Sequence, residues 1–146
     1  MQKSPMDELI QRLEQNLLGR CVMIERREGD WAGNIDGGGV VSLGVPWRIV
    51  AQGRIAFADE DDGQKFGLPS PVDGEVEANR LLAGKPIIGI TIDDETGDLT
   101  VMFEGNLRLD AFNNSAGYEG WQIDLPPDLG GMWVIALGGG EISVFV

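Results

Sequence analysis

The sequence contains no histidine and a single cysteine among its 146 residues. Without histidine the Ser-His and Cys-His nucleophile systems, the commonest general base and the common zinc sites are all excluded. One thiol, Cys21, can neither close an intramolecular disulfide nor build a thiolate cluster, which fits a reducing compartment. Basic residues are also scarce, 11 Lys and Arg against 24 Asp and Glu, for a net charge of −13. The shortage is uneven: residues 1–73 hold 12 acids and 8 bases, residues 74–146 hold 12 acids and 3 bases. Nucleic acid and an anionic membrane surface both require clustered Lys and Arg, so neither is expected as a partner. A basic protein, steered in by the acidic field, is compatible with this balance.

Other absences narrow the reading further. No apolar run approaches the roughly 20 residues of a membrane span. The N-terminal stretch Met1–Leu18 mixes charged and apolar residues instead of separating them into the basic and apolar blocks of a signal peptide. A cytoplasmic location is the expectation. Neither Gly-rich run leads into a helix carrying a Lys, so no phosphate loop is present, and no dinucleotide fingerprint appears. No catalytic residue, metal site or cofactor is expected, and the chain is not read as an enzyme.

What the sequence does have is glycine, 22 residues of it, and many short apolar runs, the signature of a turn-dense β protein. Ser4-Pro5-Met6-Asp7 is a helix start: Ser4 can cap, Pro5 sits where a missing N–H costs nothing, and Asp7 holds the capping-box position. Met6, Leu9, Ile10, Leu13 and Leu17 follow at helical spacing, and Gly19 ends the run. Ser70-Pro71-Val72-Asp73 repeats the start, with Val76, Leu81 and Leu82 behind it and Gly84 at the end. Gly74 costs this second helix roughly 1 kcal/mol relative to Ala, so it is expected to be short.

The parallel extends along the chain. Strands are predicted at Arg20–Glu25 and Lys85–Ile92, then at Trp31–Ile35 and Leu99–Phe103 after the turns Gly29-Asp30 and Gly97-Asp98. Val41 and Leu43 match Leu107 and Leu109, and Trp47-Arg48-Ile49 matches Trp121-Gln122-Ile123. A closing hairpin is predicted in each half, Ile49–Ala51 with Arg54–Phe57 and Val134–Ala136 with Glu141–Phe145. The predicted fold is therefore α+β, mostly antiparallel β. It consists of two tandem helix-then-β-meander units, an internal duplication, packed as one compact domain over residues 1–146. Unit one spans 4–58, an acidic linker 59–69, and unit two 70–146.

Candidate binding residues lie where the two units differ. Asp59, Glu60, Asp61 and Asp62 crowd four carboxylates into the linker; they lack the spacing of a calcium loop and read either as a solvated segment or as a docking surface for Lys and Arg. The loop Asn113–Gly120 is longer than its counterpart Gly44-Val45-Pro46 and carries Tyr118 beside Glu119, an aromatic and an acid suited to a protein contact. Asp93–Asp98 reads as a hairpin turn. Trp47 and Trp121 read as core.

Certain segments together carry a likeness: Pro46-Trp47-Arg48-Ile49; Gly63-Gln64-x-Phe66-Gly67-Leu68-Pro69; Leu81-Leu82-x-Gly84; Leu99-x-x-x-Phe103-x-x-x-Leu107-x-Leu109; and Asn114-Ser115-x-Gly117-Tyr118-Glu119-x-Trp121. Over roughly residues 17–123 the chain resembles a family of small bacterial proteins of unknown function, the Tyr-Glu-x-Trp segment being the most specific part. The resemblance implies no catalytic or ligand residue. By size, charge and type it suggests an immunity protein that neutralises a co-produced toxin by binding it. The leading expectation is a non-enzymatic protein-binding module, an immunity-type inhibitor of a basic toxin such as a nuclease, contacting it through Asp59–Asp62, Tyr118 and Glu119. The alternative is a structural or small-ligand-binding homo-oligomeric domain with a pocket lined by Trp47, Trp121 and Phe103.

Overall fold

A computed structural model describes residues 3–146. Helix α1 (Pro5–Leu17) begins where its cap places it, with Ser4 Oγ accepting the Asp7 N–H at 3.1 Å. Leu9, Leu13 and Leu17 form its buried stripe. Helix α2 starts later than predicted, at Gly74, and runs to Leu82. Ser70 and Pro71 do not open it, because the Val72 backbone is tied to the loop before it. Its N–H donates to Gln64 O and its carbonyl accepts from Gly63 N. Asp73 caps instead, its Oδ1 accepting the N–H groups of Glu75 and Val76. Gly74 is required by close approach: a Cβ there would come within 2.8 Å of Trp31 Cη2 and 2.9 Å of Phe57 Cζ.

Eleven strands are found among the described residues: β1 (Val22–Arg26), β2 (Trp31–Ile35), β3 (Val40–Leu43), β4 (Trp47–Ala51), β5 (Arg54–Ala58), β6 (Ile87–Ile92), β7 (Leu99–Phe103), β8 (Leu107–Ala111), β9 (Gln122–Asp124), β10 (Trp133–Ala136) and β11 (Ile142–Phe145). They form two antiparallel sheets, β1-β2-β3-β9-β10-β11 and β5-β4-β8-β7-β6. The expected meanders are thus three strands long, after which each half crosses to the other sheet. Residues 44–46 carry the chain from β3 to β4, which pairs with β8; residues 112–121 carry it from β8 to β9, which pairs with β3. In position, β4–β5 beside β8 corresponds to β9–β10 beside β3, which leaves β11 as an extra edge strand. Both predicted closing hairpins form, Ile49–Ala51 with Arg54–Phe57 as β4–β5 and Val134–Ala136 with 142–145 as β10–β11, but the two hold different positions in their sheets.

The inward residues of the two sheets meet in one apolar core, with Ile24, Ile35, Val41, Leu43 and Ile123 on one side and Ile90, Val101, Phe103 and Leu109 on the other. Trp47 and Trp121, at the two crossings, are completely buried. The void between the sheets is about 20 Å³ and lined only by apolar side chains and Gly33, room for about one water-sized probe. Neither tryptophan lines it, and it leaves no space for a ligand in the core.

Each helix lies against the first strand of the other half, α1 on β6 and α2 on β1. Both strands are sheet edges, and both helices supply side chains to their free backbone groups. Asn79 Oδ1 accepts the Ile24 N–H at 2.7 Å, and Asn79 Nδ2 donates to Ile24 O at 2.9 Å. Glu75 Oε2 accepts the Arg26 N–H, and Glu14 Oε2 accepts the Ile90 N–H at 3.1 Å. These bonds satisfy groups that an edge strand otherwise offers to a neighbouring chain.

Candidate functional site

The acidic run is folded into the structure. Asp59–Asp61 make a single 3-10 turn at the end of β5. Asp59 Oδ1 accepts the Trp47 N–H at 3.3 Å, and Asp61 Oδ2 accepts the Ala58 N–H at 3.0 Å. Asp62 Oδ1 accepts the Gly74 N–H at 2.8 Å, so it holds the start of α2. Arg26 grips the same carboxylate with two bonds, Nη2 to Oδ1 at 2.7 Å and Nε to Oδ2 at 3.0 Å. That guanidinium also reaches Asp73 and Glu75 and lies 4.9 Å from the centre of the Trp31 ring. Hydrogen bonding from Arg26 holds the Asp62 carboxyl below the usual carboxylate range, against the opposing effect of burial and with help from the Gly74 N–H. Of the four expected docking residues, Glu60 alone has a carboxylate with no hydrogen bond or ion pair among the described residues, its backbone carbonyl accepting from Gln64 Nε2. No three acidic or thiol side chains there converge as ligands of a metal ion.

The chain continuing from this run forms a tight loop tied by Gly63 N to Val72 O and Val72 N to Gln64 O, with a further bond from Leu68 N to Lys65 O. At its tip Phe66 is 98% exposed. No periodicity singles this residue out. The signal that could have found it is its place in a Gly- and Pro-flanked turn, where a large apolar side chain has nothing to pack against.

The Tyr118 loop is built differently. Ser115 Oγ accepts the N–H groups of Gly117 and Tyr118, and Ser115 O accepts the Gly139 N–H. Asn113 Nδ2 donates to Thr96 O, and the Asn113 N–H donates to Asp98 Oδ1. Trp121 Nε1 donates to Gly97 O at 2.8 Å. Three segments, 93–98, 113–120 and 137–141, are thereby locked together at one end of the sandwich. Tyr118 projects from them, 81% exposed. Glu119 accepts a bond from Gln122 Nε2 and faces solvent. Asp94, Glu95 and Glu141 are exposed on the adjoining segments, and no Lys or Arg falls within any of the three. Sequence spacing could not assemble these acids, because they lie far apart in the chain and only the β8–β9 crossing brings them together.

The acidic run and the Tyr118 loop both border the β3–β4 crossing. Val45 lines an open cleft with Asp59, Asp62, Arg26, Arg27 and Trp31. On its other side, a side chain at Gly120 would come 3.3 Å from Val45 Cγ1.

A second charged cluster, on the outer face of the β4-β8-β7 strands, centres on Asp110, the one buried charged residue among those described. It accepts from Arg48 Nε, Arg108 Nε and Thr100 Oγ1 at 3.1 to 3.2 Å. Its oxygens are thus occupied by partners that offset its charge, which is how a buried carboxylate is accommodated. Comparison with protein-family models, with curated proteins and with solved structures returned no match.

Proposed function

We propose that this chain is a non-enzymatic protein-binding module that takes a basic protein, in the manner of a bacterial immunity-type inhibitor of a toxin, and acts in the cytoplasm. The observation that carries the reading is that two aromatic side chains, Phe66 and Tyr118, stand in solvent on hydrogen-bonded loops of a strongly acidic chain. Large rings held at the surface are the usual anchors of protein interfaces, and a braced loop loses little entropy on binding. Glu119, Glu95, Glu141 and Glu60 would supply the field that speeds a cationic partner inward. Asp59, Asp61 and Asp62 serve this surface indirectly, by fixing the backbone around it. By analogy of size and acidic charge, an immunity-type protein is the class that suits this reading.

The test is affinity capture from the native cell with the wild-type chain and with a Tyr118→Ala, Phe66→Ala double variant. The expected result is a basic protein retained by the wild type at low salt, released as ionic strength rises, and lost by the variant. Equal capture by both chains would sink the proposal.

The same reading takes the two halves as diverged copies of one unit. It rests on the corresponding strand positions in the two sheets and on the reciprocal edge bonds, Asn79 to Ile24 and Glu14 to Ile90. Each of Asn79 and Glu14 lies five residues before the glycine that ends its helix. If they are equivalent, Asn79→Leu and Glu14→Leu each cost about 1–2 kcal/mol in chemical denaturation, from one orphaned edge N–H apiece, with the Ile24 carbonyl orphaned as well by Asn79→Leu. A large cost for one and none for the other would count against the duplication.

A further inference from the structure

The four sheet edges are not treated alike. On β1, the outward Ile24 N–H goes to Asn79 and the outward Arg26 N–H to Glu75. On β6, Ile90 is taken by Glu14, and Ile87 pairs with the backbone of Gly19 and Arg20. On β5, the outward Ala58 N–H goes to Asp61, and a bulge breaks the register opposite Ile49 and Val50. β11 has no such device. Ala136 bonds Trp121 and Gly120 on the β9 side, so Ile135 and Trp133 turn their backbone groups to β11 and meet Ser143 and Phe145. Val144 therefore directs its N–H and C=O outward, with no partner among the described residues. Ile142, Ser143, Val144 and Phe145 carry no charge, in a chain with 24 acids. Val144 is 40% and Phe145 52% exposed, and the Phe145 ring rests on Trp133 with centroids 5.5 Å apart.

We propose that β11 pairs antiparallel with β11 of a second copy of this chain, on a twofold axis through Val144, joining two six-stranded sheets into one of twelve. The strand is complementary to itself. With Val144 on the axis, its N–H and C=O meet the same groups of the second copy. Phe145 falls opposite Ser143 of that copy on the outer face, a large ring over a small side chain, while Val144 faces its own equivalent. Charge also selects this occupant: the strand offers no carboxylate to a Lys- or Arg-bearing strand, whereas two uncharged strands meet without an unpaired charge. A four-residue strand and one aromatic pair cover less than the ~800 Å² per partner of a standard interface, so the dimer is weak. The proposal stands apart from the basic-partner reading, because it uses a different surface.

Sedimentation equilibrium of the wild-type chain over a wide concentration range, in low and in high salt, tests it. The apparent mass should climb from 15.8 kDa toward twice that value as concentration rises. Association should strengthen several-fold in high salt, because screening relieves repulsion between two chains of charge −13. Val144→Pro removes an outward N–H that β10 does not use, and should weaken association about tenfold or more. Phe145→Lys should do the same while keeping every backbone donor. A wild type that stays monomeric throughout, an association weakened by salt, or a dimer that survives both substitutions would overturn the proposal.

Discussion

Two acid-rich regions flank the β3–β4 crossing, and they commit different shares of their carboxylates to structure. In the run Asp59–Asp62 three of four side chains accept backbone N–H groups, at Trp47, Ala58 and Gly74, and one of them also holds Arg26. In the cluster around Tyr118, Ser115, Asn113 and the Trp121 indole share the bracing with Asp93 and Asp98, which accept backbone N–H groups, while Asp94, Glu95 and Glu141 are left to solvent. The difference teaches that a dense acidic run in a sequence need not mark an acidic surface. Strand ends and helix starts present unsatisfied donors, and carboxylates placed there are drawn inward. The free negative surface comes from the acids that no backbone donor engages, Asp94, Glu95 and Glu141 here and Glu60 in the run.

The comparison breaks most readily at Asp62. Asp62→Ala orphans the Gly74 N–H and takes from Arg26 its two-bond partner, leaving it Asp73 and Glu75, and should cost about 2 kcal/mol in urea denaturation. Glu60→Ala, two residues away, should stay within about 0.5 kcal/mol. Equal effects would erase the distinction between the two kinds of acid. Acidity sharpens it next. The Asp62 carboxyl is held below its usual range, so its contribution is complete above the unfolded-chain value near ~3.9 and is lost as pH falls through the folded value. The stability gap between wild type and Asp62→Asn should therefore be full at pH 7 and close in strong acid; a gap that is constant with pH would contradict the Arg26 pairing. The smallest effect is expected at the other region, where Tyr118→Ala and Glu119→Gln should each change stability by no more than about 0.5 kcal/mol.

Much of the fold was legible because local signals agreed with the final structure. Ser4-Pro5 placed α1, and the alternation in Trp31–Ile35 and Leu99–Phe103 gave β2 and β7 residue for residue. Ser70-Pro71 misled because a tertiary bond, Val72 to Gln64, outweighs a local start signal. The crossings at 44–46 and 112–121 look like ordinary turns, and only the pairing of β4 with β8 and β9 with β3 shows that the chain changes sheets. For the candidate site, Tyr118 and Glu119 were readable from one lengthened loop. Phe66 was missed, since its one signal is its place in a Gly- and Pro-flanked turn and no periodicity marks it. Asp94, Glu95 and Glu141 were missed too, because a crossing strand and an indole bond bring them to that loop.

The account turns on Tyr118 being a contact and Asp62 being a support. The direct measurement is calorimetric titration of the captured basic partner into wild type, Tyr118→Ala and Glu60→Ala, with the melting temperature of each chain recorded alongside. The account predicts that Tyr118→Ala loses at least tenfold in affinity, about 1.4 kcal/mol or more, with an unchanged melting temperature. Wild-type affinity in Tyr118→Ala, or a loss of affinity that merely tracks a fallen melting temperature, would contradict it.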